Sequence, residues 1–110
     1  MDPAACLYSE HLEEVRPSNT LAARVVARLV EYEVKHHGCC RMHDPIALAT
    51  LLDASVVNFI SAGVEVVAGN DWDRGVTRIL FSGSPQSIHV ASAVDGARFV
   101  KLFLSRILEE

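Results

Sequence analysis

Met42-His43-Asp44-Pro45-Ile46-Ala47-Leu48-Ala49-Thr50-Leu51-Leu52-Asp53 is the stretch on which the reading of this chain turns. Asp stands before Pro, and an Ala/Leu run follows. A carboxylate accepts hydrogen bonds from the free N–H groups of a first helical turn, and proline presets φ for the first helical position. The pattern predicts a short helix that starts at Asp44, with Asp44 as its N-cap. After Asp53 the residue types change to Val56, Val57, Phe59, Ile60, Val64, Val66 and Val67, β-branched and aromatic residues that predict a strand. The stretch is therefore a helix-to-strand junction.

Upstream of it, Leu21, Val25, Leu29 and Tyr32, flanked by Ala22, Val26, Val30 and Val34, recur at helical spacing and predict a helix with a broad apolar face. Ser18, Asn19 and Thr20 offer N-cap oxygens and Gly38 offers a stop, which sets the helix at about 20–36. Residues 1–17 contain two prolines, mixed charge and no sustained period. They read as a loose leader with a short turn of helix near Ser9 to Val15.

Downstream, Gly69-Asn70-Asp71 predicts a turn. Val76 to Phe81 and Ser87 to Val94 predict two more strands, separated by the turn residues Gly83, Ser84 and Pro85. Short strands joined this closely favour an antiparallel meander. From Asp95 to Leu108 the helical period returns, with Phe99, Phe103 and Ile107 in one row and Val100, Leu104 and Leu108 in another. The expected fold class is α/β in the broad sense: a small, mainly antiparallel three-stranded sheet flanked by about three helices. It forms one domain over residues 18–110, behind the leader.

Composition narrows the function. The chain has 110 residues, enough for one compact domain. Its apolar share is 50% and its mean hydropathy +0.22, so some apolar surface should seek a partner. Net charge is -4, from 10 Lys+Arg against 14 Asp+Glu. The scattered basic residues argue against nucleic acid, which needs a clustered positive footprint. No apolar run is long enough for a membrane span, and the Asp2, Pro3 and Glu10 neighbourhood is no secretory signal, which points to a cytoplasmic protein.

The three cysteines, Cys6 and the adjacent pair Cys39 and Cys40, cannot close a disulfide framework and read as reduced thiols. His36-His37-Gly38-Cys39-Cys40-Arg41-Met42-His43-Asp44 is dense in metal-capable groups. Only Cys40 and His43 have a zinc-like local spacing, and the second pair a zinc site needs is absent. The plainer reading is a polar helix end and a loop, with Cys39 and Cys40 packing as small apolar groups. Asp71-x-Asp73 reads as a solvated turn, Trp72 as a packing residue, His89 as an edge or surface residue, and Lys101 with Arg106 as a solvated helix face.

The ordered set of motifs carries more than any one of them. Met42-His43-Asp44-Pro45-Ile46-Ala47-Leu48-Ala49 followed by Leu51-Leu52-Asp53 resembles the H-D-P-[LI]-A-x-A…L-L-D-P signature of inosine/uridine-preferring nucleoside hydrolases. In the same order, Val64-Glu65-Val66 is similar to that family's V-x-V strand. Arg74-Gly75-Val76-Thr77 is similar to its T-R-G-x-T turn, with Asp73 in place of Thr. Ile88-His89-Val90-Ala91 with Val94-Asp95-Gly96-Ala97-Arg98-Phe99 is similar to N-[VI]-x-V-A-x-x-V-D-x-x-R-F. Ser18-Asn19 before Leu21-Ala22-Ala23-Arg24 sits where the family has a similar Asn-containing helix start. The resemblance covers about residues 18–108 and matches only the C-terminal part of a family member.

The resemblance implies hydrolysis of the N-glycosidic bond of ribonucleosides, with a calcium ion held by several aspartates. Asp44 then corresponds to the family's C-terminal calcium ligand, and His43 to the leaving-group acid. The family's other metal-binding aspartates, including the general base, come from an N-terminal D-x-D-x-x-x-D-D motif that this sequence lacks. Calcium takes roughly six to eight oxygen ligands, so one carboxylate implies weak binding or none. The expectation is a truncated nucleoside hydrolase-like chain that is inactive alone. The alternative is a non-catalytic interaction module that self-associates as a homo-oligomer, or binds an intact homologue, through an exposed apolar face.

Overall fold

The computed structural model describes residues 6–80 and 88–109. Along the chain run β1 (Cys6–Leu7), α1 (Ser9–Val15), α2 (Leu21–His37), β2 (Cys40–Arg41), α3 (His43–Ala49), a 3-10 turn (Ala54–Val56), β3 (Val57–Val66), β4 (Thr77–Leu80), β5 (Ile88–Val94) and α4 (Gly96–Leu108). Contacts divide the chain into two compact units: Met1–Val57 with Val94–Glu110, and Asn58–Ala93.

In the first unit, α2 is bounded as its capping residues require. The Thr20 hydroxyl oxygen accepts from the Ala23 N–H at 3.1 Å, filling one of the orphan donors of the first turn. The same hydroxyl donates to the Ile107 carbonyl at 2.6 Å, so the cap also ties α2 to the end of α4. Gly38 closes the helix at φ 82°, the left-handed conformation that glycine adopts without a Cβ clash. At α4, the Asp95 carboxylate accepts from the Arg98 N–H at 3.1 Å and caps the helix.

The core gathers Leu7, Leu12, Val30, Met42, Ile46, Ala49, Val56, Val57 and Phe99. A second cluster of Val15, Ala23, Leu104 and Ile107 sits between α1, α2 and α4. No charged or polar side chain is buried among the described residues. The hydrophobic effect therefore drives this packing, at roughly 25 cal/mol per Å² of apolar surface removed from water.

Three features of the first unit differ from the sequence reading. Residues 9–15 form the expected short helix, but from Cys6 onward the segment is packed, not loose. It buries Leu7, Leu12 and Val15 in the two clusters, and its β1 pairs antiparallel with β2, Cys6 opposite Arg41 and Leu7 opposite Cys40. A two-residue strand carries no periodic signal, which is why the sequence hid it. Second, the row Leu21, Val25, Leu29 and Tyr32 on α2 is exposed; the core takes Ala23 and Val30, with Val26, Ala27 and Val34 packed beside them. The helix is apolar on two opposite faces, and periodicity alone does not say which one the fold uses. Third, Asp44 is not the cap of α3. Met42 is, with no side-chain capping bond. Asp44 lies inside the first turn, where its charge complements the positive end of the helix dipole, and Pro45 occupies a position whose N–H has no helical acceptor in any case.

In the second unit, the sheet order is β4-β3-β5, with β3 and β4 antiparallel, Gly63 opposite Leu80 and Val66 opposite Thr77. The expected three antiparallel strands are present, but they do not form a meander. β3, the longest strand at ten residues, is central and has its backbone groups paired on both edges. Gly75, at φ 91°, donates its N–H to the Val67 carbonyl at 2.7 Å and closes the reversal between β3 and β4. Trp72, on that reversal, is 95% exposed and so is not the packing residue its size suggested. Asp73 lies 3.8 Å from the Arg78 guanidinium. The turn expected at Gly83, Ser84 and Pro85 lies outside the described residues.

Phe99, at 1% exposure, tests the core. Phe99→Ala leaves a cavity in the main core cluster, and should cost about 3–5 kcal/mol of stability in urea unfolding. Trp72→Ala should stay within about 0.5 kcal/mol.

Candidate functional site

The helical period of α3 decides what it presents. Met42, Ile46 and Ala49, spaced four and three residues apart, are buried and hold one side of the helix to the core. His43, Asp44, Ala47 and Leu48 then face outward, and all four are exposed. The two residues singled out from sequence thus stand side by side in the first turn, accessible to a ligand. The Ile46 N–H donates to the Met42 carbonyl at 3.0 Å and closes that turn.

No cluster of three or more His, Cys, Asp or Glu side chains able to hold a metal ion occurs among the described residues. Asp44 therefore belongs to no such cluster among the described residues, and a single carboxylate does not fit a calcium cage. Cys39 and Cys40 line an open cavity of about 490 Å³ with Glu33, His37 and Arg41; His43 is not part of it. Burial raises the Cys40 thiol pKa, with Glu33 and Cys39 adding to the shift. A cavity of about 570 Å³ between α1 and α4 includes Tyr8, His11, Val100 and Lys101 in its wall, but neither His43 nor Asp44. His89 is exposed, as expected, and meets the Phe59 ring edge-on at 6.5 Å. Lys101 and Arg106 are likewise exposed on α4.

Beyond α3, a clamp that sequence reasoning did not single out holds the chain in place. Asp53 Oδ2 accepts from Arg98 Nε at 3.0 Å. Asp53 Oδ1 accepts from the Ser55 N–H at 3.0 Å and from the Ser55 hydroxyl. Hydrogen bonds from Ser55, then Arg98, hold the Asp53 carboxyl at about 2, against an ordinary 3.8. The Asp95 N–H donates to the Val56 carbonyl at 2.8 Å beside this pair. The signal was in the sequence: opposite charges close the Leu51-Leu52-Asp53 and Asp95-Gly96-Ala97-Arg98 motifs, and only the three-dimensional path shows that they meet.

These features define an α/β chain with an exposed His-Asp pair opening a short helix, and with that helix clamped to a C-terminal helix. Known structures give the fold a closer description. A purine-preferring ribonucleoside hydrolase from Gardnerella vaginalis superposes with a TM-score of 0.77 and 28% identity, over 94% of this chain and 35% of that one. A plant nucleoside hydrolase superposes with a TM-score of 0.79 and 16% identity, over 97% of this chain and 38% of that one. The chain has the fold of the C-terminal part of a ribonucleoside hydrolase and spans a little over a third of these structures' length. No family model matches the sequence, and no curated protein does.

Because the Asp53 carboxyl titrates below its ordinary value, folding favours its ionised form. The clamp's contribution should be complete above about pH 4 and fade as the pH falls toward about 2. Thermal unfolding of Asp53→Asn beside the parent chain checks this: the parent's advantage should be largest near neutrality and vanish at the acid end.

Proposed function

We propose that these 110 residues form a nucleoside hydrolase-like unit, carrying the leaving-group end of a ribonucleoside site and inactive by itself. Cleavage of an N-glycosidic bond passes through an oxocarbenium-like state; water adds to the sugar carbon as the base departs and takes up a proton. In this reading His43 is the acid that gives the departing base its proton. Asp44 is one calcium ligand whose companion carboxylates this chain does not supply. The activating base for water is missing for the same reason, so no turnover follows. The observation that carries the reading is the exposed His43-Asp44 pair at the start of α3, in a fold shared with ribonucleoside hydrolases over 94% of the chain.

The purified chain should show no hydrolysis of inosine, uridine or a chromogenic riboside above the uncatalysed rate, with calcium present. Steady turnover that Asp44→Ala abolishes would overturn the inactivity and keep the site.

A second reading, an interaction module, is favoured by the outer face of α2. Leu21, Val25, Leu29 and Tyr32 lie in one stripe at 76%, 50%, 64% and 59% exposure, and Leu48, Leu51 and Leu52 are exposed around α3. Contiguous apolar surface of this kind marks association sites. It is suited to a second copy of this chain or to a homologue. Light scattering should give a dimer or larger species, and Leu29→Glu should shift it to monomer with little change in unfolding midpoint. A clean monomer for the parent chain would count against the module.

A further inference from the structure

The pairing of β1 with β2 brings together thiols that lie 33 residues apart in sequence, a separation given by their numbers, 39 and 6. Cys6 stands opposite Arg41 and Leu7 opposite Cys40. Cys39 lies in the bend that leads into β2, two residues before Arg41, and so sits diagonally across the ribbon from Cys6. Side chains alternate across a ribbon, so Cys40 falls on the face opposite to Cys6, where its sulfur lies 3.9 Å from the Met42 sulfur and packs against the main core cluster. The Cys39 thiol is a near enough neighbour of Cys6 to help raise its pKa. The neighbouring pair Cys39 and Cys40 could bridge only with strain. Cys39 also occupies the bend after Gly38, outside the ladder, where the backbone is free to adjust to disulfide geometry.

We propose that Cys6 and Cys39 are an oxidisable thiol pair, converted by a small-molecule disulfide such as oxidised glutathione into a reversible intramolecular disulfide that staples β1 to the junction of α2 and β2. Cys39 is half-buried and lines the open cavity beside Arg41, so it meets the reagent first. Its thiolate attacks one glutathione sulfur, forms a protein–glutathione disulfide and releases one glutathione thiolate. Cys6, only 5% exposed, is reached by the neighbouring sulfur and not by bulk reagent. Its thiolate attacks the Cys39 sulfur and releases the second glutathione. Two protein thiols lose two electrons and two protons, and one oxidised glutathione becomes two reduced ones. Burial, then Cys39, holds the Cys6 thiol up, while Arg41 pulls it down, so Cys6 is the slower partner that resolves rather than initiates. The closed loop contains α1 and α2, whose contact the bridge would lock. None of this depends on the hydrolase reading.

The test is to incubate the folded chain with oxidised glutathione, block free thiols, and map peptides without reduction. The expected product is a Cys6–Cys39 linked peptide with Cys40 blocked, reversed by reduced glutathione, and with an unfolding midpoint raised by roughly several degrees. Cys40→Ser should leave the link intact. Cys39→Ser, at a half-exposed position that keeps the fold, should abolish it and leave Cys6 unmodified. A lasting protein–glutathione disulfide at Cys39, a link through Cys40, or only disulfides between chains would each overturn the proposal.

Discussion

The first unit is made from two stretches of chain that are far apart in sequence, and one interlock holds them together. Where the chain leaves α3, Asp53 binds Arg98 of α4, the Val56 carbonyl takes the Asp95 N–H, and Val56 and Phe99 are fully buried in the same cluster. Each part supports the others. The apolar contacts set the distance between segments, and the hydrogen bonds set their register. Isolated surface ion pairs contribute little, but this one shares its carboxylate with the Ser55 turn, so it fixes a direction of chain as well as a contact. The orientation of α3, and with it the outward face of His43 and Asp44, follows from that interlock and from the burial of Met42, Ile46 and Ala49.

What that face can do is limited by its chemistry. An imidazole and a carboxylate side by side, exposed and at the positive end of a short helix, suit contact with a polar ligand. They do not make a cage for a hard divalent ion, which needs oxygens converging from several directions. The two solved nucleoside hydrolases described above are each more than two and a half times as long, since 94% and 97% of this chain covers 35% and 38% of them. The doubly apolar α2 belongs to the same picture. One face fills the core between α1 and α4, and the other carries the large, exposed side chains of Leu21, Val25, Leu29 and Tyr32.

Much of the fold was legible in the residues. Thr20 and Gly38 bound α2 within a residue or two of the expected limits because caps act locally, and α4 showed its period because Phe99, Leu104 and Ile107 are buried. The three strands after Asp53 announced themselves by β-branched residues. Their order did not, because it is settled by which backbone edges meet. The face of α2 was misread because both faces are apolar, and the cap of α3 because Asp before Pro is compatible with two starting points a residue or two apart. At the candidate site, His43 and Asp44 were visible as types and spacing. The Asp53–Arg98 clamp, and the approach of Cys6 to Cys39, depend on long-range folding that no local pattern encodes.

The proposed function makes the His43-Asp44 corner only one side of a binding site. Amide spectra of the isotope-labelled chain during a calcium titration test it directly. The account predicts small, unsaturated shifts confined to the first turn of α3. Tight, saturable binding that moves Asp44 together with acidic residues elsewhere in the chain would contradict it.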